Sequence, residues 1–168
     1  MTPPGGFVVA GDSDIQSIED IGRGGVRVTS GVFSPVIVEV VTKALPAFIG
    51  MSPEEAAEKI EFVPASSYGE NCRSVIEGKS DVAYCAPISS VLSEMEGAPG
   101  SIRWLPMDPN ATESWEAFLN FRPMTIPTKM TFGVSTAVGI DSMTSNFVYA
   151  VPATADARVQ RHQRRSAL

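Results

Sequence analysis

Short apolar runs alternate with longer stretches of helical period along this chain, and glycine, proline and serine mark the changeovers. Phe7 to Ala10 and Val26 to Thr29 are β-branched or aromatic enough to predict strands. Val36, Val40, Val41, Ala44, Leu45 and Phe48 then fall at helical spacing. They predict a helix from Pro35, capped by Ser34 and ended or kinked at Pro46. Ser52-Pro53-Glu54-Glu55 opens a short helix to about Lys59, and Ile60 to Pro64 is a strand. Ser66 or Ser67 caps a helix carrying Cys72, Val75 and Ile76, which Gly78 closes. Ser80 to Ala86 reads as a buried strand, and Pro87 opens a helix presenting Val91, Leu92 and Met95. Ile102 to Pro106 is a strand, Asn110 to Phe121 a helix, and Phe132 to Ile140 and Phe147 to Val151 are β-rich. Strands separated by helices imply βαβ units, so the fold class expected is α/β: an open mixed, mainly parallel sheet flanked by helices.

In such sheets ligands gather beyond the carboxyl ends of the strands. Three strand-to-helix turns carry small residues there: Thr29 to Ser34, Pro64 to Tyr68 and Cys85 to Ser89. Each alone is ordinary capping; together they suggest one cleft. The loop before Pro35 points backbone N–H groups outward at a helix start, an arrangement that suits a carboxylate or phosphate. The binding candidates are therefore Ser30, Gly31, Phe33, Ser34, Ser66, Tyr68 and Ala86. Phe33 and Tyr68 fit equally as covers for a small molecule or as core aromatics.

At 168 residues, 43% hydrophobic and 19% charged, the chain suits one folded domain with a real core. Its net charge is −6, and the last dozen residues hold Arg158, Arg161, Arg164 and Arg165, so the body is more acidic still. A nucleic-acid surface is therefore not expected, and the basic tail reads as solvated. No apolar run reaches bilayer length, and the first residues carry no signal-peptide pattern. The sole histidine, His162, lies in the tail, which removes histidine-based catalysis, and no acid–base pair is in view. Glu54, Glu55, Glu94 and Glu96 read as solvated helix carboxylates. Cys72 and Cys85 do not have zinc spacing. They are two half-buried thiols, or a disulfide if the domain works outside the cytoplasm. No enzyme activity, metal or cofactor is expected.

The run SDIQSIEDI…VRV…SG resembles the opening of a lobe in type 2 periplasmic solute-binding proteins, and SVIEGKSDVAYCAPISSVLSEM is similar to a later strand-and-helix segment of that family. IRWLPMDPNATESW and MTIPTKMTFG look like signatures of the TAXI family of TRAP transporter solute receptors. The resemblance covers roughly Phe7 to Pro152. It implies an extracytoplasmic receptor that captures a small organic carboxylate, such as a dicarboxylate, keto acid or amino acid, between two lobes for membrane permease subunits. This chain would correspond to the second lobe only, as residues 1–152, with a basic, disordered tail at 153–168. The loop Ser30-Gly31-Phe33-Ser34 matches the family's ligand loop, Ala86-Pro87 matches a conserved turn in part, and Phe132 stands where the family often has tyrosine. One lobe offers half the contacts, so weak affinity is expected, and apolar surface facing the absent lobe suggests self-association. The alternative is a ligand-sensing regulatory module on the same lobe fold.

Overall fold

The computed structural model describes residues 4–145; Phe147 to Val151, the 152/153 boundary and the tail lie outside them. Strand β1 (Gly6–Ala10) is the centre of the molecule, pairing on one side with β4 (Ala83–Cys85) and on the other with β5 (Ile102–Leu105). A second ribbon pairs β2 (Val26–Thr29) with β3 (Ile60–Val63) in parallel. A parallel bridge between Val28 and Val82 joins the two, with the Thr29 N–H donating to the Val82 carbonyl at 3.0 Å. The strands therefore succeed one another as β3-β2-β4-β1-β5. β2, β3, β4 and β5 share a direction, and β1 alone runs against its neighbours. The mixed, mainly parallel sheet is as expected, but β1 enters no βαβ unit.

β1 is buried on both faces, as its apolar sequence requires. Phe7 and Val9 face one core with Val26, Val28, Val82 and Leu105; Val8 faces the other with Ala83, Cys85, Ile102 and Trp104. The first core is covered by a long helical stretch and by α6 (Thr112–Leu119). That stretch is α1 (Pro35–Glu39), a π-helical turn (Val40–Ala44) and α2 (Leu45–Phe48). Pro46 neither ends nor breaks it. Proline has no N–H to give the carbonyl one turn back, and the wider π turn before it absorbs the mismatch. Phe48 meets Trp115 and Phe118 edge-on at 5.1 and 6.3 Å, which clamps α6 onto the helix end.

The second core lies under α4 (Tyr68–Arg73) and α5 (Ser90–Glu96), with Cys72, Leu92 and Met95 buried in it. Cys72 and Cys85 form a disulfide that joins α4 to the end of β4. Helix α5 starts at Ser90 rather than Pro87, because the Ala86–Ser89 segment first turns back, Ser89 N–H donating to the Ala86 carbonyl. Between α2 and β3 in the chain, α3 (Pro53–Lys59) begins with a complete capping box in which Ser52 and Glu55 exchange hydrogen bonds, so Glu55 is a cap.

The β-rich reading of Phe132 to Ile140 is corrected. The strands are β6 (Thr125–Lys129) and β7 (Asp141–Ser145), an antiparallel hairpin whose connection is that very segment. Met130, Val134 and Ala137 drop into the second core from a turn, so their apolar spacing records burial without a strand. Glu96 is what holds this turn: its carboxylate accepts the Ser135 hydroxyl and the Thr136 N–H, both at 2.6 Å. Glu94 likewise pairs with Arg73 at 2.8 Å. Neither is simply a solvated carboxylate.

Candidate functional site

The carboxyl ends of β2, β3 and β4 open onto one edge of the sheet, and the three small-residue turns meet there. The first turn follows from β2 running straight into Ser30. Ser30 is buried, its N–H donating to the Val63 carbonyl at 2.8 Å and its hydroxyl to the same carbonyl at 3.4 Å. Gly31 then reverses the chain with φ +57°, and a Cβ there would collide with the Ile37 side chain. Ser34 caps α1, its hydroxyl accepting the Ile37 N–H at 3.4 Å. Among the described residues the N–H groups of Gly31, Val32 and Phe33 donate to no protein acceptor.

The second turn is closed by its own side chain. Ser66 N–H and hydroxyl both donate to Glu70 Oε2, at 2.7 and 2.6 Å. The Ser66 hydroxyl, then its N–H, holds the Glu70 carboxyl below the usual range. A carboxylate thus already sits in that corner. The third turn is satisfied in the same way: the Ala86 N–H donates to Tyr68 Oη at 2.8 Å. Tyr68 also meets Phe33 edge-on at 6.4 Å between ring centres, so its ring joins the second turn to the first while its hydroxyl joins it to the third. Phe132 reaches the same neighbourhood because Gly133 packs on Pro87 and Val134 N–H donates to the Pro87 carbonyl at 2.9 Å.

The predicted residues therefore fall into two groups. Phe33 and the half-buried Ser34 form an open lip over the buried Gly31, with Tyr68 behind it, and Phe132 stands exposed on the far side. Ser30, Ser66 and Ala86 give their N–H groups to the protein itself. The rim is apolar, with Val32, Val36, Ile88 and Phe132 each about half exposed. Behind it, Asn71 is fully buried; its Nδ2 donates to the Tyr84 carbonyl at 3.0 Å while its Oδ1, facing Gly31, has no partner. Burial also pushes the Tyr84 phenol up to about 12, keeping it neutral.

Sequence reasoning missed Arg122, whose guanidinium donates to Glu39 at 2.8 Å across the first core's helices. Nothing in the local sequence marks it, since it lies on a turn beyond α6. Among the described residues no group of acidic, histidine or cysteine side chains could hold a metal, and no single helix is long and apolar enough to cross a membrane.

No protein-family model matches the chain, and no curated protein matches it. Solved structures do align with it. An ancestral arginine-binding protein bound to glutamine is 13% identical over 73% of this chain and 55% of its own, with a TM-score of 0.43. A structure from work on glutathione import in Streptococcus mutans is 17% identical over 73% of this chain and 54% of its own, at 0.43. The L-cystine solute receptor of Neisseria gonorrhoeae is 15% identical over 82% of this chain and 61% of its own, at 0.40. The chain thus spans a little over half the length of the solved structures to which it is similar.

Proposed function

We propose that this chain is a solute-binding lobe that holds a small organic carboxylate by reversible contacts at the Gly31–Ser34 lip. The observation that carries the reading is the trio of undonated N–H groups at Gly31, Val32 and Phe33, set in an apolar rim beside Tyr68. Amides aimed at a carboxylate form charge-assisted hydrogen bonds, the strong kind. Phe33 and Phe132 would cover the body of the ligand, and the Glu70 carboxylate in the Ser66 corner illustrates the anion preference of these turns.

The finer reading rests on the sequence motifs: a receptor of the TAXI type, working outside the cytoplasm with TRAP-type permease subunits. The buried Cys72–Cys85 disulfide supports an oxidising compartment. In that reading a second lobe closes over the lip, and occupancy is signalled by closure. The alternative is a regulatory module on the same lobe fold, favoured by nothing specific at this edge. The test is an NMR titration of the full chain with succinate, 2-oxoglutarate and glutamate. Millimolar, saturable shifts at the Gly31, Val32 and Phe33 amides are expected. Tight one-site binding would overturn the half-site picture, and shifts confined to other regions would overturn the lip.

A further inference from the structure

A second feature lies on the outer face of the α1–α2 helical stretch. Val36, Glu39 and Lys43 succeed one another at helical spacing on the flank of the buried face formed by Ile37, Val40, Val41 and Ala44. With Val32, Pro35, Val38 and Arg122 they line an open cleft of about 520 Å³, within the size range of small-ligand sites. Arg122 is the unusual member. Its side chain is only 19% exposed; among the described residues its one hydrogen bond is from Nη1 to Glu39, and its Nε is buried with no acceptor. A buried guanidinium donor left unpaired is costly and calls for an explanation. Lys43 makes no ion pair among the described residues. Two cations against one carboxylate leave a local positive excess in a chain of net charge −6.

We infer that this cleft takes a small aliphatic monocarboxylate, received between Arg122 and Lys43, with its hydrocarbon body laid on Val32 and Val36. A guanidinium edge matches a carboxylate bidentately, and a turn of the Arg122 head that keeps its Glu39 contact gives the Nε donor its missing acceptor. The inference rests on these side chains and does not need the lip amides. It is tested on the full chain by NMR titration with isovalerate, using neutral isovaleramide as control. Isovalerate should shift Val32, Val36, Lys43 and the Arg122 Nε–H saturably, and the amide should bind about tenfold more weakly or not at all. Lys43→Gln and Arg122→Gln should each weaken isovalerate by about tenfold. Glu39→Gln should tighten it, because it removes the repulsion and the competitor for the guanidinium. Should Arg122→Gln fail to fold, the more exposed Lys43 and Glu39 variants carry the test. Equal binding of acid and amide, no saturable shift at millimolar isovalerate, or weakening by Glu39→Gln would each overturn the inference. Shifts confined to the Gly31 and Phe33 amides would overturn it too, while leaving the lip reading intact.

Discussion

Tyr68 Oη accepts the backbone N–H of Ala86 at 2.8 Å, so a side chain at the start of α4 closes a turn eighteen residues further on. The same hydroxyl lies 3.3 Å from Ser89 Oγ. Tyr68→Phe leaves that amide without its partner, at a cost of about 1–2 kcal/mol. Urea unfolding should show the loss, and hydrogen exchange at Ala86 should quicken before that of the sheet interior.

Gly31 is required by its backbone and by its neighbour at once. Gly31→Ala puts a methyl group into Ile37 at a positive φ, and roughly 2 kcal/mol of stability should go. Ile37→Ala removes the Cγ2 methyl that the new side chain would meet, so Gly31→Ala should cost less in that background than in the parent. A chemical-denaturation cycle over the four proteins measures the coupling.

The disulfide joins two buried positions with a sequence separation of 13. Replacing both cysteines with serine should cost about 3 kcal/mol. Because both sulfurs are buried, dithiothreitol should reduce the native protein slowly and the urea-unfolded protein at once. Thiol counting over time distinguishes the two.

Glu96 predicts an acid-sensitive element. The Ser135 hydroxyl, followed by the Thr136 N–H, holds its carboxyl below the ordinary value. A depressed native pKa means that the stabilisation is fully present above the unfolded value, near 4.3, and is lost as pH falls through the native one. The 130–140 turn should therefore loosen on acidification, and exchange at Thr136 should rise first. Glu96→Gln should flatten that acid limb; an unchanged pH profile would mean the turn is held by its apolar residues instead.

Much of the sheet is legible in the sequence because its strands are short runs rich in β-branched and aromatic residues: Val26 to Thr29, Ile60 to Val63 and Ile102 to Leu105 stand within a residue or so of where the pattern puts them. The reversed course of β1 is not, since nothing in Gly-Phe-Val-Val-Ala tells a strand which neighbours it will meet. β6 and β7 escaped notice because Thr-Ile-Pro-Thr-Lys and Asp-Ser-Met-Thr-Ser are mostly polar and owe their pairing to each other. At the first turn, capping chemistry is enough to mark Ser34 as the cap of α1. It could not reveal that Glu70 and Tyr68 would take the amides of the neighbouring turns, because those partnerships depend on side chains arriving from α4. Arg122 lay further out of reach: its partner Glu39 is eighty-three residues away.

Gly5 pairs with Met143, and the Ser142 hydroxyl donates to the Gly5 carbonyl at 2.6 Å. The first and last described strands therefore leave the body side by side, about one strand spacing apart. The hairpin is thereby tied across the entry of the central strand, so loosening either would bare backbone N–H and C=O groups of the other.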